Sequence, residues 1–115
     1  MAQAQLVTSI AKDSQVEAAR VPPQSLEAEQ AVLGGLLLDN AAWDRLADLL
    51  GEHDFYRADH RLIFQHIGQL IEHAKPADAL TVAESLERSG RLAEIGGQAY
   101  LGSLALNTPS AANIR

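Results

Sequence analysis

Apolar residues return every three or four positions along most of this chain. Ala28, Val32 and Leu36, with Leu33 and Leu37, make one stripe, and Trp43, Leu46, Ala47 and Leu50 make a second. Ile63, Ile67, Leu70 and Ile71, with Phe64, make a third. This is the period of an amphipathic helix, and no alternating β-branched run interrupts it. Pro22 and Pro23 end whatever precedes them, and Ser25 then stands where a helix N-cap belongs, with Glu27 and Glu29 in the first turn. Asp39 and Asn40 read as a turn, either of them able to cap the second helix, which stops at Gly51. A connector over 52–56 follows, with Phe55 plugging the core. The longest helix runs from about 57 to 74, ending before Pro76.

Thr81-Val82-Ala83-Glu84 has the form of a capping box, opening a helix that buries Val82, Ala83 and Leu86 and closes at Gly90. Leu92 to Ile95 read as one short turn before Gly96-Gly97. A further helix over 98–106 places Tyr100, Leu101 and Leu104 inward, and Asn107-Thr108-Pro109-Ser110 breaks it. The expected fold is all-α, a compact orthogonal bundle of about six short helices. Residues 1–21 read as a flexible tail, 22–109 as a helical head, and 110–115 as the truncated start of one more helix capped by Ser110.

Two adjacent glycines, Gly34 and Gly35, interrupt the first stripe, each unfavourable by roughly 1 kcal/mol relative to alanine in a helix interior. A close approach by another helix would offset them, and Gly68 of the third helix is the expected opposing position.

With 115 residues the chain allows one small domain, and 47 % hydrophobic content with only five aromatics implies a core of leucine and alanine. The net charge of −6, with nine scattered cations, argues against binding duplex DNA through its phosphates. Cysteine is absent, which excludes disulfides and thiolate metal sites and fits a reducing compartment. No apolar run is long enough to span a membrane.

Candidate chemistry is sparse. Neither glycine pair is followed by Lys-Ser or Lys-Thr, so neither can serve as a nucleotide-phosphate loop. His53-Asp54 has the form of a metal-ligand pair, yet His60 and His66 fall on different helix faces and His66 and His73 lie two turns apart. That spacing does not converge on one ion. Arg57 and Arg61, at i,i+4, could touch a phosphate, but Asp54 and Asp59 beside them favour a local ion-pair face.

Four stretches, VPPQSLEAEQAVLGGLLLDN at 21–40, FYRADHRLIF at 55–64, LTVAESLERSGRLAEIGGQAYL at 80–101 and NTPSAANI at 107–114, resemble in order and spacing the N-terminal domain of the bacterial replicative DNA helicase of the DnaB type. The resemblance implies a non-catalytic collar domain that packs as dimers into a trimer-of-dimers ring in the cytoplasm, at the replication fork. It implies docking of primase and of a helicase loader. ATP, Mg and single-stranded DNA would be engaged by the full hexamer and its missing motor, with no cofactor in this stretch. In this reading His60 braces the connector holding Phe55 and Tyr56. The isolated head is expected to be mostly monomeric, with Tyr100, Leu101 and Leu104 as its possible self- or partner interface. The alternatives are a small helical nucleic-acid-binding or regulatory domain, which needs a basic face, and a small hydrolase, which needs converging ligands.

Overall fold

Ser25 opens the first helix as its position predicts: its backbone is extended and its hydroxyl accepts the Ala28 N–H at 3.0 Å. One of the amide donors that a helix start leaves without a partner is thereby satisfied. In the computed structural model, which describes residues 25–107, α1 spans Leu26–Leu38 and α2 spans Ala42–Leu46. α3 follows at Ala58–Glu72, α4 at Ala79–Arg88 and α5 at Gly97–Asn107, with single 3₁₀ turns at Glu52–Asp54 and Leu92–Ile95. No strand occurs among the described residues, so the all-α class holds there. The tail expected over 1–21 and the helix expected from Ser110 lie outside them.

α1 packs on α5 and α3, α5 also packs on α4, and α3 closes against α4. Leu33, Leu36, Ile63, Ile67, Val82, Leu86 and Leu101 meet in the shared core, all at 0 % exposure. Phe64 stands between Trp43 and Phe55, each ring pair tilted 39° with centroids 5.0 Å apart. This is the offset geometry aromatic pairs favour. Phe55 therefore does plug the core, at 1 % exposure. No helix among the described residues is long and apolar enough to cross a membrane.

Several local expectations are corrected. α2 stops at Leu46 because the N–H groups of Leu49 and Leu50 both turn onto the Leu46 carbonyl, at 2.9 and 2.7 Å. That tightening swings Leu50 into the core and leaves Ala47 exposed. α4 begins at Ala79, two residues before the box expected at Thr81. Asp78 is its cap: Asp78 Oδ1 accepts the Thr81 N–H, and Thr81 Oγ1 accepts the Asp78 N–H, both at 2.8 Å. An aspartate there satisfies the same donors and adds a negative charge at the positive helix end.

The glycine crossing also differs. A Cβ on Gly35 would meet no atom within 4 Å, whereas one on Gly68 would lie 2.6 Å from Trp43 Cη2 and 2.8 Å from Cζ2. Gly34 is buried within α1. The room that Gly68 leaves is filled by an indole rather than by Gly35 on a facing helix.

Of the two turn residues after α1, Asp39 makes a local bond, its Oδ1 accepting the Ala41 N–H at 3.1 Å. Asn40 reaches much further. Its amide nitrogen donates to the carbonyls of Leu36 and Ala77, both at 2.8 Å, and its oxygen accepts the Ala77 N–H at 2.9 Å.

α3 and α4 end in the same way. Lys75 N–H reaches back to Leu70 and Ala74 N–H to Ile71, just as Arg91 reaches Leu86 and Gly90 reaches Glu87. Both ends need one residue in the left-handed region, which Gly90 supplies at φ 74° and Ala74 supplies at φ 60°. Alanine is strained there and glycine is not. Ala74→Gly should therefore stabilise the domain, and Gly90→Ala destabilise it, each by about 0.5–1 kcal/mol after the extra freedom of glycine in the unfolded chain is subtracted. Urea unfolding midpoints of the two variants moving in the same direction would refute the shared cap.

Candidate functional site

The most concentrated polar chemistry lies where α1, the 55–56 connector, α3 and α5 meet. Glu29 precedes Leu33 and Leu36 at i,i+4 and i,i+7, so helical spacing turns its side chain toward the core, where it is 1 % exposed. His60 precedes Ile63, Phe64 and Ile67 in the same register and is 0 % exposed. Tyr100, half-buried on α5, completes the group.

Their hydrogen bonds run in one direction. With the ring proton on Nδ1, His60 donates to Glu29 Oε1 at 2.7 Å and accepts the Tyr100 hydroxyl at Nε2, at 2.6 Å. Tyr100 in turn accepts from Gln30 Nε2 at 3.2 Å. The second Glu29 oxygen accepts the Tyr56 N–H at 2.6 Å. The imidazole and phenol rings are nearly parallel, 7° apart in plane. Buried polar groups are tolerated when each finds a partner, and here each does. The order carboxylate, imidazole, hydroxyl is that of a nucleophilic triad, but the phenol oxygen is held from both sides. The relay is a brace between four segments of chain.

Arg61 completes the hold on the connector. Its Nε donates to the Phe55 carbonyl at 2.8 Å and its Nη2 to the Tyr56 carbonyl at 2.6 Å. The expectation that the His60 ring braces Phe55 and Tyr56 is met only through Glu29: the ring bonds Glu29 and Tyr100, while Glu29 and Arg61 hold the connector backbone. Tyr56 itself projects outward at 85 % exposure.

Of the expected ion-pair face, half forms. Arg57 and Asp59 pair bidentately at 3.0 and 2.7 Å, and the guanidinium holds the Asp59 carboxyl below the usual carboxylate range. Asp54 instead accepts the Gly51 N–H at 2.8 Å. Tyr100, Leu101 and Leu104, expected as a possible contact surface, face inward, with Leu101 at 0 % and Leu104 at 3 % exposure. The two leucines are core, as the inward spacing of the three predicts.

The histidines stand apart. His53 lies on the surface 3.9 Å from Glu52, His73 Nδ1 donates to the Gln69 carbonyl at 2.7 Å, and buried His66 Nδ1 meets Ser85 Oγ at 2.7 Å. Among the described residues no three histidine or acidic side chains are placed to hold a metal ion.

Burial pushes the His66 imidazole below its ordinary value, and the positive charge of Arg91 adds to the effect. The unfolded chain therefore takes up this proton first as pH falls. Stability contributed by neutral His66 is complete above about pH 6.5, the unfolded value, and is lost as pH drops through the lower folded value. His66→Gln should flatten the decline in unfolding free energy between roughly pH 7 and 5, where carboxylates titrate little. An unchanged slope in that variant would assign the decline to other groups.

Comparison with known proteins places this arrangement in context. Residues 21–115 match the family model described as the DnaB-like helicase N terminal domain. The chain is 48 % identical over 102 residues to the replicative DNA helicase DnaB of Buchnera aphidicola subsp. Baizongia pistaciae, covering 89 % of this chain and 22 % of that relative. It is 46 % identical over 101 residues to the Geobacillus stearothermophilus replicative DNA helicase DnaB, covering 88 % of this chain and 22 % of the relative. It thus spans about a fifth of the length of these curated relatives. The crystal structure of the N-terminal domain of DnaB helicase from Mycobacterium tuberculosis superposes with a TM-score of 0.74 at 47 % identity, covering 80 % of this chain and 67 % of that one. With a match in sequence over 95 residues' span from 21 to 115 and a matching fold, the chain belongs to the DnaB-like helicase N-terminal domain family.

Proposed function

We propose that the chain works as the non-catalytic N-terminal collar domain of a hexameric replicative DNA helicase, in the bacterial cytoplasm at the replication fork. It takes part in ring assembly and gives primase and the helicase loader a place to dock. ATP and Mg belong to a C-terminal motor that unwinds the duplex, and single-stranded DNA is met only by the whole ring. The carrying observation is the agreement of sequence and fold with a DnaB N-terminal domain. The side-chain chemistry supports it: the relay and Arg61 are spent on holding the fold, and the acidic balance of −6 disfavours direct binding to phosphates.

The test compares the full-length helicase with a form lacking residues 1–115, by light scattering with and without the cognate primase. The proposal expects the truncated form to lose primase co-elution and to assemble into rings less readily. Undiminished ring formation and primase binding without this domain would overturn it.

A further inference from the structure

Tyr56 and Leu26 form an apolar surface that residues 25–107 leave largely uncovered, at the point where the chain enters α1. An open groove of about 310 Å³ lies there, lined by Ser25, Leu26, Glu29, Tyr56 and Arg57. The tyrosine is 85 % exposed and the leucine 45 %. The backbone beneath the ring is fixed: Glu29 accepts the Tyr56 N–H, Arg61 donates to its carbonyl, and Phe55 is anchored in the core. An aromatic mounted on a fixed backbone gives up little freedom when it is covered.

The polar groups around the groove are already spent. The Glu29 carboxylate holds His60 and the Tyr56 N–H, Arg57 pairs bidentately with Asp59, and the Ser25 hydroxyl accepts the Ala28 N–H. A charged occupant would have to compete with these bonds, whereas a proline brings no N–H that needs a partner. Proline segments also dock well in aromatic-lined grooves, because their extended form is set in advance.

Such a segment, Val21-Pro22-Pro23, stands immediately upstream. Pro23 and Pro22 are two and three residues before Ser25, so even a fully extended chain keeps them within about 7–11 Å of a residue that lines the groove. Each proline disfavours helix at the residue before it, which favours extended backbone at 21 and 22. Ser25 continues that form, at φ −139° and ψ 158°. A short tether gives the segment a local concentration on the order of millimolar, an advantage that a free peptide lacks. The family match also begins at residue 21, ahead of α1, so the segment belongs with the domain.

We infer that Val21-Pro22-Pro23 folds onto the Tyr56 and Leu26 surface, proline rings against the phenol ring, and straps the start of α1 to the connector before α3. The strap sets the edge of the domain from which residues 1–20 depart. A partner that uses the Tyr56 face has to lift it first.

The test is proton NMR of the full 115-residue chain. Protons of Pro22 or Pro23 should show nuclear Overhauser contacts to the Tyr56 ring and upfield shifts from its ring current. Tyr56→Ser should return those proline signals to their unfolded-peptide positions, and Tyr56→Phe should keep them, since the contact uses the ring and not the hydroxyl. Both variants keep the backbone groups that Glu29 and Arg61 hold, so amide shifts in α3 and α5 should report an intact fold. Replacing both prolines, Pro22→Ser with Pro23→Ser, should speed chemical nitration of Tyr56 several-fold and leave that of Tyr100 unchanged. Proline signals already at unfolded-peptide positions in the parent chain, or indifferent to Tyr56→Ser, overturn the inference. Contacts that appear only as the chain is concentrated also overturn it, and assign the groove to a second copy.

Discussion

His60→Leu should destabilise the domain by about 3–5 kcal/mol, the usual consequence of removing one partner from a buried polar pair. The leucine fills most of the imidazole volume, so little of that loss would come from a cavity. What remains is a Glu29 carboxyl group, 1 % exposed, with the Tyr56 N–H as its surviving partner, and a Tyr100 hydroxyl with no imidazole to receive its proton. Small domains have total stabilities of about 5–15 kcal/mol, so the variant should unfold at much lower urea. A double-mutant cycle sharpens the point. If the relay acts as a unit, adding Glu29→Met to His60→Leu should recover part of the loss, because two apolar groups leave no buried charge to satisfy. A single-variant loss under 1 kcal/mol, or strictly additive effects, would show that water replaces the imidazole at little cost.

Gly68→Ala should destabilise by about 1–3 kcal/mol, although alanine is the better helix former by about 1 kcal/mol. The added methyl would sit 2.6 Å from Trp43 Cη2, well inside contact distance. The indole cannot retreat freely, since its other side is packed on Phe64 with ring centroids 5.0 Å apart. Pairing the change with Trp43→Phe, which shortens the opposing ring, should restore part of the stability. Gly35→Ala, where the methyl would meet nothing within 4 Å, should go the other way and gain up to about 1 kcal/mol. A stable Gly68→Ala protein would mean that the indole relocates without penalty.

The contrast between these glycines shows what the residue pattern could and could not convey. Helical period located α1, α3 and α5, and capping chemistry placed the start of α1 at Ser25, because those signals are local and repeat within a few residues. Which glycine meets which neighbour depends on how helices turn relative to one another, and period alone does not contain that angle. Asp78 and Thr81 can both cap and stand three residues apart, in effect exchanging roles within one box, so residue type alone does not choose between them.

Glu29 is the more instructive case. A carboxylate in a first helical turn has an adequate reason to be there, the helix dipole, and that reason concealed its alignment with Leu33 and Leu36. Its partners Tyr56 and His60 lie 27 and 31 residues away, and Tyr100, the second partner of His60, stands 40 residues beyond it. The same distance in sequence hid Tyr56, because exposure is a property of what fails to cover a residue.

Asn40 makes one junction of the domain depend on an intact side-chain amide. Its side chain uses both amide hydrogens and its oxygen at once, tying the end of α1 to Ala77 across 37 residues. Hydrolysis of that amide to a carboxylate exchanges one NH₂ for one oxygen, with scarcely any change in shape. The new oxygen would face two carbonyl oxygens at the distance where it had donated, and attraction would become repulsion. Loss of ammonia from a single side chain would therefore unfasten a junction between two distant segments.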